Sequence, residues 1–533
     1  MGHQTEHEAL SQSGADFKAA LTAYDQVAYP GHAYPQTHPT RLGAMAQLLG
    51  LTPAPVERCR VLELACGDGA NLIPMAVALP GATFVGVDVA ARAIAAGQEI
   101  VAELGLRNIE LRAGDASALG RDLGEFDYVI AHGVYSWVPE AVRDGLLATI
   151  KAHLAPGGIG YVSFSAYPGA YFRELVRELM LFHTGEGAPP TERLQHGIDF
   201  LRFVREVHGP GTAYAAALDQ ELVRVSKADP GYVFHDDFSE TNAPIYFSAF
   251  AEHLATHDLA YLCDATFDYF FDPRLSSAVR EQISSYAGGN IIAEQQYLDF
   301  IQGTPFRQTL ACHASAPIDR KFDATRLFPL LASAWLAPTQ PDPDILGPTR
   351  VCFRSQDLRE IETEEPLAKA LLLELSQAWP EARSVQCIFD SALRRIGAPP
   401  PDPSGAPGYA PHALRVLERT VLMGAATRLI SVWHGSFVGI GVPGDRPLAS
   451  PLARLQASRG ELVTSLRHTT VRLQDAPARG LLELMDGTRT RQDLLVALRD
   501  RLAESDPTSA HDLNLEALNR VLNGLAERGF VLG

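Results

Sequence analysis

The stretch Val61-Leu62-Glu63-Leu64-Ala65-Cys66-Gly67-Asp68-Gly69-Ala70-Asn71-Leu72 decides the fold. A short apolar run ends in an acid, and a loop of small residues follows. The run reads as a buried parallel strand, and the loop opens the next helix. Gly67 and Gly69 carry no side chain, so the backbone there can approach a ligand closely. This is the pattern of a nucleotide-cofactor protein.

Outward from the loop, strands recur in regular steps. Thr83 to Asp88 reads as a second strand ending in an acid. Asp88 follows the loop by about twenty residues, where an acid can accept hydrogen bonds from ribose hydroxyls. Ile109 to Ala113 is a third strand, followed by Gly114-Asp115-Ala116. Phe126 to Ala131 is a fourth; Leu154-Ala155-Pro156-Gly157-Gly158 is a turn, and Ile159 to Ser165 a fifth strand. Helical segments separate the strands, which predicts an α/β doubly wound sheet.

Composition narrows the function. The 533 residues exceed one core, and two to four domains are expected. Apolar content of 46% and charged content of 20% suit a globular enzyme. A net charge of −18 argues against nucleic acid as the partner, while leaving room for a basic protein substrate. No apolar run reaches membrane-span length, and Met1 to Phe17 is too polar for a secretory signal. The cytoplasm is the expected compartment. Cys59, Cys66, Cys263, Cys312, Cys352 and Cys387 make no CxxC pair. Reduced thiols and no bound metal are therefore expected.

The loop alone leaves the nucleotide open. Leu72 stands where a dinucleotide fingerprint starting at Gly67 wants its third glycine, and the P-loop Gly-Lys-Ser/Thr is missing. Taken together, Glu63 to Gly69, Asp88, Gly114-Asp115-Ala116 and Leu154 to Gly158 resemble the class I S-adenosylmethionine-dependent methyltransferases. The resemblance implies a Rossmann-like sheet and S-adenosyl-L-methionine as cofactor. It implies that Glu63 and the backbone of Ala65, Cys66, Gly67, Asp68 and Gly69 hold the amino-acid tail. Asp88 would hold the ribose, and Asp115 with Ala116 the adenine edge. A Rossmann-type domain without its cofactor is the rival reading.

Three segments look chemical around the transferable methyl group. Tyr24 to Pro30, running on to Tyr34-Pro35-Gln36-Thr37-His38-Pro39, is too polar and proline-rich for a core strand. It reads as an N-terminal flap (residues 1–40) whose tyrosines, Tyr29 among them, close over the cofactor. His132-Gly133-Val134-Tyr135-Ser136-Trp137-Val138-Pro139 follows the fourth strand, on the edge where such sheets bind ligands. His132 is assigned to the cofactor, and Tyr135 and Trp137 to an aromatic channel for an amine. Tyr232 to Asp237 offers His235 and Asp236 as a proton-accepting pair. Methyl transfer needs alignment, exclusion of water and a neutral amine, so such a pair would have work to do.

These segments, with Ala166-Tyr167-Pro168-Gly169, Asn242 to Phe247 and Phe306-Arg307-Gln308-Thr309-Leu310, narrow the resemblance to methyltransferases carrying a methyltransferase regulatory domain. That group includes bacterial protein-lysine methyltransferases of outer-membrane proteins. It implies a protein or peptide substrate, with an outer-membrane protein as one candidate. Gly31 and Ser165 depart from the pattern, where Ser and Asn are expected. Leu259 to Cys263 and Arg307 to Cys312 read as two last strands. Residues 171–244 then form a helical insertion, either a lid over the site or the contact of a homodimer.

The catalytic domain is placed at residues 41–315, a middle domain at 318–445 and a last domain at 446–533. Pro-rich breaks at Ala337 to Pro343, Pro399 to Pro403 and Gly441 to Pro447 suggest these limits. In the last domain a strand at Thr470 to Leu473 precedes a helix at Ala476 to Met485, capped by Asp475. Two further helices, from Thr490 and from Leu515, complete a winged-helix-like unit. It resembles the peptide-binding chaperone of pyrroloquinoline quinone biosynthesis, so it would bind peptide or serve packing. The whole predicts protein or peptide methylation, on lysine nitrogen first. The alternatives are a small-molecule N- or O-methyltransferase and a peptide- or DNA-binding regulator with a vestigial cofactor fold.

Overall fold

The computed structural model describes residues 31–185, 189–398, 409–435, 441–505 and 511–532. Tyr24 to Pro30 and the Pro399 to Pro403 break lie outside them.

Helix α1 (Pro39–Leu48) leads into strand β1 (Arg60–Leu64). Then come α2 (Leu72–Ala78), β2 (Thr83–Asp88), α3 (Ala91–Glu103), β3 (Ile109–Ala113) and β4 (Phe126–Ala131). After α4 (Glu140–His153) and β5 (Leu154–Ser165) the chain leaves the sheet for α5 (Ala170–Thr184), α6 (Pro190–His208), α7 (Ala213–Lys227) and α8 (Pro230–Asp237). It returns through α9 (Phe247–Thr256), β6 (Leu259–Asp264), α10 (Ser277–Ala287), α11 (Ile291–Gln302) and β7 (Phe306–His313). The seven strands are ordered β3-β2-β1-β4-β5-β7-β6. The first five are mutually parallel, and β7 runs antiparallel between β5 and β6. Strands β1 and β2 read as near-continuous apolar runs because both sheet faces are covered.

The predicted turn at Leu154 to Gly158 is absorbed into β5: Leu154 pairs with Phe126, and the register slips before Tyr128 pairs with Ile159. A bulge with two glycines reads in sequence like a turn, because both relax the backbone.

Arg307 locks the antiparallel edge. It is buried, its guanidinium donates to both carboxylates of Asp299 and Asp264, and it lies 4.0 Å above the Phe247 ring. The insertion α5–α8 packs on a small core of its own around Met180, Leu201, Leu218 and Phe234. The middle segment behaves differently. Its buried residues, from Leu327 to Val432, are continuous with the sheet face that carries α1 and α2. Its first Pro-rich break opens inside a strand, since Ala337 and Pro338 pair with Arg354 and Phe353.

The C-terminal segment has a separate core built from helices Ala476–Leu484, Arg491–Ser505 and Leu515–Glu527. Thr490 and Asp493 cap the second helix reciprocally. Asp475 occupies the first helix's cap position without a side-chain cap bond, contrary to its expected role. The hairpin Leu462–Thr464/Thr470–Arg472 projects from this unit to Asn71, at the start of α2.

Candidate active site

The cofactor loop leaves β1 at Glu63 and Leu64 through left-handed backbone at Ala65, Gly67 and Gly69. A non-glycine residue there, Ala65 at φ 59°, costs about 1–3 kcal/mol and is held only by its surroundings. Asp88 supplies part of that hold. One of its oxygens accepts from Gly67 N–H at 2.8 Å and the other from Ala90 N–H at 2.8 Å. Each oxygen keeps a lone pair for a hydroxyl. A Cβ on Gly67 would meet nothing within 4 Å, so the space above the loop is open.

Glu63 is 3% exposed. Its Oε1 accepts from Asn71 Nδ2 at 2.7 Å, and Oε2 is buried with no partner among the described residues. Burial pushes its pKa up to about 8. An unpartnered buried carboxylate oxygen beneath an open loop suits a cationic ammonium group. The cofactor's amino-acid tail carries one, so the residues present fit S-adenosylmethionine.

Asn71 is the hub of the site. Its Oδ1 accepts from Tyr34 N–H at 2.9 Å and lies 2.9 Å from His468 Nε2. A backbone N–H can only donate, which fixes the amide's orientation and makes His468 a donor as well. The C-terminal hairpin thus reaches the cofactor loop, and it also holds the N-terminal arm, where Ala33 N–H donates to Thr470 Oγ1 at 3.1 Å. The arm lies close on the loop. A Cβ at Gly31 would meet Ala70 Cβ at 2.4 Å, so the serine expected there does not fit this backbone. Asp115 is exposed and caps Ser117, while Ala116 beside it is buried. Asp68 turns inward to accept from Ala70 N–H, and the Cys66 side chain is buried beneath Gly86.

His132 packs at a tilt against Tyr34, with ring centroids 4.0 Å apart. Its Nδ1 lies 3.0 Å from Tyr161 Oη and 3.1 Å from Ser163 Oγ. Burial pulls its pKa down to about 4, so the ring is neutral at physiological pH and a weak base. Trp137 faces Phe306 at 6.4 Å, with its indole N–H buried and unpartnered among the described residues.

Tyr135 departs from the expected channel. It is 1% exposed, packs edge-on against Phe250 and lies 2.6 Å from His253 Nδ1. The single turn Tyr135–Trp137 sends these two rings to different environments, Tyr135 into the core against Phe250 and Trp137 beside Phe306. In the His235–Asp236 pair the carboxylate is engaged by an arginine. Asp236 is paired with Arg173 at 2.9 Å, and His235 is buried on α8 against Phe234. Burial and the Arg173 ion pair occupy the carboxylate in holding α8 to α5. Tyr232 of the same helix does reach the site, 3.5 Å from Tyr34 Oη. Tyr29 lies outside the described residues.

A second aromatic group opens beyond β5. Tyr167 stacks on Tyr171 at 4.2 Å, and Tyr171 Oη lies 3.1 Å from Tyr246 Oη. Tyr167 O–H donates to Glu174 at 2.9 Å. Tyr171 and Phe300 are half exposed. Sequence reasoning assigned no site role to these residues or to Asn71 and His468. Their ordinary residue types carry no signal until the fold brings them together.

The strand order and the acid–glycine loop–acid arrangement define a class I methyltransferase site. The comparisons agree. Residues 61–158 match a methyltransferase domain, 229–313 a predicted methyltransferase regulatory domain, and 445–527 the C-terminal winged helix domain of PKMT. Two uncharacterized proteins of Rickettsia prowazekii are similar. One is 35% identical over 58% of this chain and 56% of its own length, so the chain spans little more than half of that relative. The other is 33% identical over 44% of this chain and 94% of its own length. The solved structure of PKMT2 from Rickettsia typhi is 25% identical, covers 95% of this chain and all of its own, and superposes with a TM-score of 0.82. Its complex with AdoHcy gives 0.83. The chain belongs to the S-adenosylmethionine-dependent methyltransferases that carry a regulatory domain and a PKMT-type winged helix.

Proposed function

We propose that this chain methylates lysine side chains of a protein substrate. The observation that carries the donor half is the buried Glu63 carboxylate, with one oxygen held by Asn71 and the other facing no partner. S-adenosylmethionine, when bound, supplies a methyl group already activated by its sulfonium. Glu63 would neutralise the ammonium of its tail, Asp88 would accept from the ribose, and Ala116 would lie against the adenine. Tyr34, His132 and Trp137 would exclude water above it.

The likeness to PKMT2 and the PKMT-type winged helix support a protein substrate. The aromatic faces of Tyr167, Tyr171 and Tyr246 beside Glu174 support a cationic side chain at the acceptor mouth. Glu174 would attract the ammonium electrostatically. Loss of its proton to solvent would precede its approach to the methyl group alongside Trp137. No helix among the described residues is long and apolar enough to cross a membrane. Cytoplasmic action on a protein, an outer-membrane protein before export among the candidates, fits this reading. A paired assembly through the insertion remains part of the proposal.

Labelled-methyl transfer into a cell lysate tests the function. Label on lysine of a protein band supports it. Label confined to the small-molecule fraction rejects it in favour of a small-molecule methyltransferase.

A further inference from the structure

We infer that Asp144, His253 and His257 form a binding site for a divalent transition metal ion, with zinc the ion their donor set suits best. His253 lies near the end of α9 and His257 immediately after it, four residues apart and on one side of the helix end. Asp144 faces them from α4. Its Oδ1 is 3.4 Å from His253 Nε2 and 2.8 Å from His257 Nε2. All three ligand atoms lie within 4.8 Å of one another. Ligands about 2.0–2.1 Å from a tetrahedral zinc stand roughly 3.3 Å apart, so small side-chain adjustments suffice. The Asp144 side chain is 62% exposed, which leaves the fourth position to water.

A second feature fits ligation. His253 Nδ1 lies 2.6 Å from Tyr135 Oη, and Tyr135 is locked between Phe250 and Phe164. With a metal on Nε2 the ring proton sits on Nδ1 and is donated to Tyr135 Oη. This is the outer-shell bond that commonly orients a ligating imidazole. Without metal the tautomer reverses: Nε2–H donates to Asp144 and the tyrosine O–H donates to Nδ1.

The site joins two helices that flank the acceptor side. Helix α4 begins just after the turn holding Trp137, and α9 begins just after Tyr246. A metal there would staple them together. Counting cysteines misses the site, because its donors are His and Asp, and Asp144 lies 109 and 113 residues before the two histidines.

Calorimetry on the full chain with zinc chloride tests this, supported by cobalt(II) absorption. A Cys352→Ser background removes a surface cluster of Cys352, Glu360 and Glu362 that also has ligand spacing. We expect one zinc bound at about 10 µM or tighter, and tetrahedral cobalt bands. His257→Gln and Asp144→Asn should each weaken zinc at least about tenfold and abolish the bands. AdoHcy binding by the two variants, expected to stay within about twofold of wild type, verifies that they fold. Zinc binding equal in wild type and folded variants, or no binding by wild type at about 100 µM, overturns the site.

Discussion

His468 of the C-terminal hairpin lies 2.9 Å from Oδ1 of Asn71, whose amide N–H donates to the buried Glu63 carboxylate. The C-terminal domain thus touches the residues proposed to hold the cofactor. His468 is 2% exposed and burial holds its pKa well below the usual histidine range, so it acts as a neutral donor. His468→Ala should weaken AdoHcy binding about tenfold, the scale of one buried hydrogen bond to a polar group. Calorimetry checks this; unchanged affinity would show that the contact only packs. Removing the whole domain would therefore impair cofactor binding too.

Glu63 makes cofactor binding pH-dependent. The folded carboxyl keeps its proton to about pH 8, against an ordinary value of 4.5. Between those values the ligand-free folded state binds more protons than the unfolded chain, so this group lowers stability as pH rises. A cationic ligand needs the ionised form. AdoHcy affinity should rise from about pH 6 to 7.5, with proton release visible in buffers of different ionisation enthalpy. Glu63→Gln should lose both the affinity and the slope. It should also melt higher than ligand-free wild type at pH 8.

Asp88 orders the loop before any ligand arrives. Asp88→Ala removes the acceptor of Gly67 N–H and Ala90 N–H together with the proposed ribose partner. Cofactor affinity should fall at least tenfold, from about 1.5–3 kcal/mol per hydrogen bond to a charged group. A titration showing wild-type affinity would remove Asp88 from the cofactor site.

Tyr135 and Trp137 should separate in mutagenesis. Tyr135→Phe keeps the core ring and loses only the His253 contact, so it should cost about 1 kcal/mol of stability and change turnover by less than threefold. Trp137→Ala opens the ligand side and should cut turnover by more than tenfold. Steady-state methylation rates distinguish the pair; equal losses would return Tyr135 to the channel.

Arg307 carries the antiparallel edge. Arg307→Met leaves the buried Asp299 and the partly exposed Asp264 without their cation and should destabilise the protein by about 3 kcal/mol. Urea unfolding measures it, and a loss below about 1 kcal/mol would show that water or a neighbour compensates.

The sheet, the tight glycine loop after β1 and the chemistry class were legible in the sequence by itself. Strands β2, β3 and β4 occupy the predicted residues, and Glu63, Gly67 and Asp88 meet at one loop. Those signals are local: a buried strand is an apolar run, and a tight loop needs glycine within a few residues. Folding, not sequence, sent Tyr135 into the core against Phe250 and Trp137 to the side of Phe306, because one short turn separates their environments. It also committed Asp236 to Arg173 and brought His468 to Asn71 across 397 residues of chain. Such contacts depend on how separate cores pack and on which buried polar atoms must find partners, and that accounting closes only in the folded molecule.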